Sequence, residues 1–182
     1  MLQILVPGRE SFNEQTQEFI VTKDQSLRLE HSLVSISKWE AKWQKPFLDN
    51  NEKTLSENID YIKCMTLTQN VDPNVYYCLT SSNMQDVMDY INSPMSATWF
   101  SNQSYIAGGR NGEVVTSELI YYWMVQFQIP FECQKWHLNR LLTLIRICSI
   151  KNQPPKQMSK NAILKQNTAL NKARRAKTRS KG

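Results

Sequence analysis

The last 32 residues, Lys151–Gly182, contain no aspartate, no glutamate and no aromatic side chain. They hold ten Lys or Arg, whereas residues 1–150 hold twelve basic and sixteen acidic residues, so the two parts carry +10 and −4 of the total +6. A mildly acidic body joined to a purely cationic segment differs from an evenly basic protein, because the segment is suited to meet something negative. Without aromatics the segment lacks the stacking platforms on which single-strand nucleic-acid binders rely. Nor does it have the strong apolar face that enters a membrane interface. Three readings stay open for it: a polyanion-binding tail (non-specific nucleic acid included), a docking segment for an acidic protein, or a solvated end.

Other absences narrow the class further. Five Gly and seven Pro in 182 residues are few for a turn-rich all-β protein. No apolar run approaches the roughly 18–20 residues of a membrane span, so no membrane partner is expected. The start, MLQILVPGRE, lacks a basic stretch followed by an apolar one, so no secretory leader is expected. Cys64, Cys78, Cys133 and Cys148 show no paired spacing, which points to reduced thiols in a cytosolic protein.

Signs of chemistry are equally scarce. Cys133 and His137 lie four apart, but no second ligand pair accompanies them, and a structural zinc needs four ligands. A Cys–His nucleophile would have to be assembled by the fold; His137 is expected instead to bond beside Trp136 and Arg140. Gly108-Gly109-Arg110-Asn111-Gly112 has no Lys and no preceding apolar strand, so it reads as part of an exposed loop (101–112) and not a phosphate cradle. Asp86/Asp89 and Glu113/Glu118 occupy helix surfaces and N-termini, where carboxylates are ordinary. The expectation is a protein that is not an enzyme, with no metal and no cofactor.

The apolar pattern is informative. Leu2–Val6 and Phe19–Val21 are short apolar runs, and Leu27, Leu29, His31 and Leu33 alternate at period two, so residues 1–36 read as a two- or three-strand sheet. Trp39 and Trp43 share a face of a short helix over 37–43 that stops before Pro46. Thr54 and Glu57 form a capping box opening a helix to about Leu67, and Asp72-Pro73 opens a short one through Tyr77. Met84, Val87, Met88 and Ile91 mark an amphipathic helix. A helix from Thr116, apolar almost all round, and another over about 132–150 are expected to form the central pair of the core. Asn152–Pro155 is a hinge, and a last helix from about Ser159 to Lys177 has only a thin apolar stripe, so it is expected to order on a partner.

The fold class expected is therefore α+β, mainly α: a small N-terminal antiparallel sheet packed on a helical bundle, with a basic C-terminal tail. Residues 1–36 form the β segment, 37–150 the helical body in one domain with it, and 151–182 the conditionally helical tail. Lys160, Lys165, Lys172, Arg174, Arg175, Lys177, Arg179 and Lys181 are the candidate contacts to a polyanion or an acidic partner.

Five stretches carry a resemblance: 29–48 (LEHSLVSISKWEAKWQKPFL), 61–68 (YIKCMTLT), 94–100 (PMSATWF), 117–124 (SELIYYWM) and 129–159. Together they resemble the tail assembly chaperones encoded in the tail modules of long-tailed bacteriophages. That resemblance implies a non-enzymatic morphogenesis factor in the host cytoplasm. Its partner would be the tape measure protein, a very long helical chain kept soluble until tail-tube subunits polymerise round it. It implies no catalytic residues. A groove for such a client is expected at Trp39, Trp43, Met95, Trp99 and Phe100, which adjoin breaks in regular structure, with Met side chains adapting to varied partners. Rival readings are a virion component, such as a tail-completion or connector subunit, and a nucleic-acid-binding protein acting through the basic tail.

Overall fold

The computed structural model describes residues 1–13, 18–98, 100, 114–152 and 160–178. The chain is a mainly helical α+β protein with a small antiparallel sheet, and it divides into two compact units, residues 1–150 and 151–182.

The first unit begins with four strands, β1 (Leu2–Val6), β2 (Glu10–Asn13), β3 (Glu18–Val21) and β4 (Gln25–Leu29). β1 pairs antiparallel with β4 and β2 with β3, at the same register offset, so the two ladders are one long hairpin with an interruption. Gly8 sits at that interruption. Its N–H donates to Asp24 Oδ1 at 2.7 Å, and a Cβ there would lie 2.2 Å from the Thr22 carbonyl oxygen, so only glycine fits. Ile4, Val6, Leu27 and Leu29 point inward, while Gln3, Leu5, Ser26 and Arg28 face solvent, the period-two division of a half-buried sheet.

Strand pairing ends at Leu29, and α1 (Leu33–Trp43) has begun three residues after Glu30, so the helix starts earlier than the expected 37. Leu27, Leu29, His31 and Leu33 are all buried, as their alternation suggests, but only the first two are on a strand. A local signal overrides the alternation: the Ser32 hydroxyl accepts from the Ser35 amide while Ser35 Oγ accepts from the Ser32 amide, a capping box. Leu33, Ile36, Trp39 and Glu40 then form the buried stripe.

α2 (Leu55–Met65) opens on the Thr54/Glu57 capping box, and its buried stripe is Tyr61, Ile62 and Met65. The chain leaving it runs along the outer edge of β4: the Glu30 amide donates to the Met65 carbonyl and the Leu67 amide to the Arg28 carbonyl. A 3-10 turn over Pro73–Tyr77 follows, capped by Asp72. In α3 (Ser81–Asn92) Val87 and Tyr90 are buried and Met84 and Ile91 pack against the core, while Met88, the fourth residue of the expected stripe, is half exposed. Asn83 of α3 ties the helix to the sheet by donating to the Leu5 carbonyl at 3.1 Å.

α4 (Ser117–Gln126) and α5 (Leu138–Lys151) are not the central pair that their composition suggests. α1 occupies the centre, with α2, α4 and a 3-10 turn at Phe131–Lys135 packed on it. That turn also replaces the first part of the helix expected from about 132. α5 starts only at Leu138, whose amide is taken by the His31 carbonyl at 2.7 Å. α6 (Lys160–Thr178) belongs to the second unit, and every side chain described in it is exposed.

One side chain joins three of these elements. Glu40, 7% exposed, projects from α1; its Oε1 accepts from the Phe47 amide and its Oε2 from the Ser117 amide, each at 2.8 Å. Ser117 is the first residue of α4, where amides have no intrahelical acceptor and the helix dipole favours a negative charge. Replacing Glu40 by Ala leaves two buried donors without partners, and we expect a loss of about 3 kcal/mol of stability. Chemical denaturation of the E40A chain checks this; a change within error of zero contradicts it.

Candidate functional site

Both histidines of the chain lie in the core, in contact with each other. The His31 and His137 rings are 5.0 Å apart, edge to face, at the junction of the hairpin, α3 and α5. His31 Nδ1 shares a 2.5 Å hydrogen bond with the Tyr61 hydroxyl. His137 Nε2 bonds the Tyr90 carbonyl at 3.0 Å, and its Nδ1 accepts from the Asn139 amide at 3.3 Å. The Tyr90 hydroxyl in turn donates to Glu30 Oε1 at 2.7 Å, and the Met1 amino group lies 3.0 Å from Glu30 Oε2. Arg140 stands beside His137 as expected: its amide donates to the His137 carbonyl at 3.0 Å, and its guanidinium lies 4.3 Å from the Trp136 ring centre.

Burial, aided by the neighbouring His137, pushes the His31 imidazole down to about 3. Burial lowers His137 as well, and it raises the Tyr61 and Tyr90 hydroxyls above their ordinary range. The pair is therefore uncharged in the folded protein near neutral pH and buried from solvent. Cys133 is buried in the 3-10 turn, and among the described residues no group of three or more His, Cys, Asp or Glu is placed to hold a metal ion. The Gly108–Gly112 loop and Glu113 lie outside the described residues.

The described residues among those expected to line a groove differ widely in exposure. Trp39 is 1% exposed and belongs to the core: its indole N–H donates to the Glu57 carbonyl at 2.9 Å and its ring meets Phe47 edge to face. Trp43 stacks on Trp39 and is partly buried, with the Lys42 and Lys45 ammonium groups 5.8 and 5.9 Å from its ring. Lys45 also pairs with Glu57 at 2.8 Å; its hydrogen bond and that of the Thr54 amide hold the Glu57 carboxyl at about 2. Met95 is exposed, in a left-handed conformation, and Phe100 is half buried with the Arg146 guanidinium 4.0 Å from its ring. Trp99 lies outside the described residues.

An outward apolar face exists elsewhere. Tyr122 and Val125, three apart on α4, are 60% and 61% exposed. Phe131, 54% exposed, meets the ring of Tyr121, the neighbour of Tyr122 in sequence. Composition hid this face because α4 is apolar nearly all round; the signal was the polar pair Glu118 and Gln126, which fall on the same side as Tyr122. The second candidate surface is α6, where Lys165, Lys172, Arg174, Arg175 and Lys177 are all exposed and Lys160 stands at the first position. Arg179 and Lys181 lie outside the described residues.

No family model matches this sequence, and no curated protein or solved structure matches it either.

The buried histidine pair sets a pH dependence. His31 and His137 bind protons less readily folded than unfolded, where a histidine titrates near 6.5. Stability is therefore full above that value and falls as pH drops, by up to about 1.4 kcal/mol per pH unit for each histidine. Between about pH 6.5 and 5 lies the range in which an unfolded histidine takes up its proton. Urea midpoints measured across it should fall steadily; a constant midpoint down to pH 5 contradicts the neutral pair.

Proposed function

We propose that this chain is a non-enzymatic morphogenesis factor of a long-tailed bacteriophage, a tail assembly chaperone acting on the tape measure protein in the host cytoplasm. The sequence resemblance, spread over five stretches from residue 29 to 159, supports the family reading. The observation that carries the binding role is the α4 face: Tyr122 and Val125 stand exposed on a helix whose other side is anchored in the core through Ile120 and Met124. Large apolar side chains held outward on a well-anchored helix suit capture of the apolar stripe of a client helix. The Trp39/Trp43 pair joins α1 to α2 through the Trp39–Glu57 hydrogen bond and is not the contact itself. Tail-tube subunits are the next partners in such an assembly, meeting the client after the chaperone has held it.

Affinity capture from infected cells, with nuclease present, tests this. The intact tagged chain should retain a very large helix-rich phage protein, and the double variant Tyr122→Lys/Val125→Lys should lose most of it while keeping the native melting temperature. Capture that disappears with nuclease, or equal recovery by the variant, contradicts the reading. Abundant copies in purified particles would instead mark a virion component.

A further inference from the structure

α6 has a charge distribution that goes beyond a client-binding role. The helix runs 19 residues, about 28 Å at 1.5 Å per residue. It holds six Lys or Arg and no acidic residue. At about 100° per residue, Lys165 and Lys172 fall on one side of the helix, Arg174 lies opposite, and Arg175 and Lys177 take the two flanks. Cations therefore lie on opposite sides of the helix, and the remaining third or so of its circumference carries Ala162, Ala169, Ala173 and Ala176. A helix meant for an acidic protein surface gathers its charges on one side, next to an apolar stripe. Here the apolar stripe is thin, Ile163 and Leu170 with the alanines beside them, and the charges are not gathered on one side of it.

Charge on two opposite sides suits a partner that presents anions on both walls of a channel. We propose that α6 binds in the major groove of duplex DNA, with its cations reaching the phosphates of both flanking strands. That groove, about 12 Å wide, admits one α-helix. The major groove of A-form RNA is too narrow and deep to do so. The lack of aromatics excludes stacking on splayed single-stranded bases as a source of affinity. Between the cations lie the exposed amides of Gln166, Asn167 and Asn171, side chains able to meet adenine edges. Binding also relieves the mutual repulsion of the six cations, so the helix gains stability on the duplex. This inference is independent of the α4 face and stands or falls without it.

Titration of the full chain into a short labelled DNA duplex, followed by anisotropy between about 50 and 200 mM salt, gives the number of phosphates neutralised. Five engaged cations predict a log–log slope of roughly −4 to −5. Two double variants then probe the two sides: Lys165→Gln/Lys172→Gln and Arg174→Gln/Lys177→Gln. Groove binding predicts that each lowers affinity roughly tenfold or more and each reduces the slope by about 2. Loss with only one pair means a one-sided contact and overturns the proposal. So does competition by polyglutamate as effective as that by unlabelled duplex, which assigns α6 to an acidic protein. Absence of duplex binding at the lowest salt overturns it too.

Discussion

A single buried carboxylate sets the arrangement of the body. Glu40 leaves α1 at its last turn and fixes two amides that belong to other parts of the chain, Phe47 in the segment before α2 and Ser117 at the start of α4. A charge removed from water is costly unless its oxygens are satisfied, and here each oxygen has a backbone donor. The two bonds cross 7 and 77 residues of sequence. The longer one brings the second half of the chain back onto α1. Phe47, pinned by the first, packs between Trp39 and Tyr61 and closes the aromatic core.

The histidine pair does comparable work at the other end of α1. The His31 carbonyl caps the first amide of α5, and the His31 ring fills the space between Tyr61 and His137. Polar side chains thus fix where helices begin while apolar stripes fix which faces turn inward. Such polar contacts tie the core to one geometry, because a buried polar group tolerates few alternative partners. The exposed α4 face depends on both: Glu40 sets where the helix starts, and Ile120 and Met124 set which side faces outward.

Much of this was legible in the sequence where the signal is local. The Thr54/Glu57 box, the Asp72-Pro73 start and the Thr116 cap lie where the chain spelling puts them. The alternation up to Leu29 correctly marked a half-buried strand; it then misled, because His31 and Leu33 are buried by tertiary packing around a Ser32 cap that a period-two pattern does not reveal. Trp39 and Trp43 share a face as their spacing requires, but spacing does not say whether that face meets solvent or α2. The α4 face was missed for the same reason. Glu40 was illegible altogether: a lone Glu in a Lys-rich helix reads as surface until its two amide partners are placed beside it.

The most direct test of this account is native-state hydrogen exchange at the Phe47 and Ser117 amides. If the Glu40 carboxylate joins α1, α4 and the segment before α2 as one cooperative core, both amides should exchange only through global unfolding, with equal opening free energies. Exchange of either at the rate of an exposed loop amide would mean that the Glu40 contacts open independently of the core, and the carboxylate would not be the constraint that organises the fold.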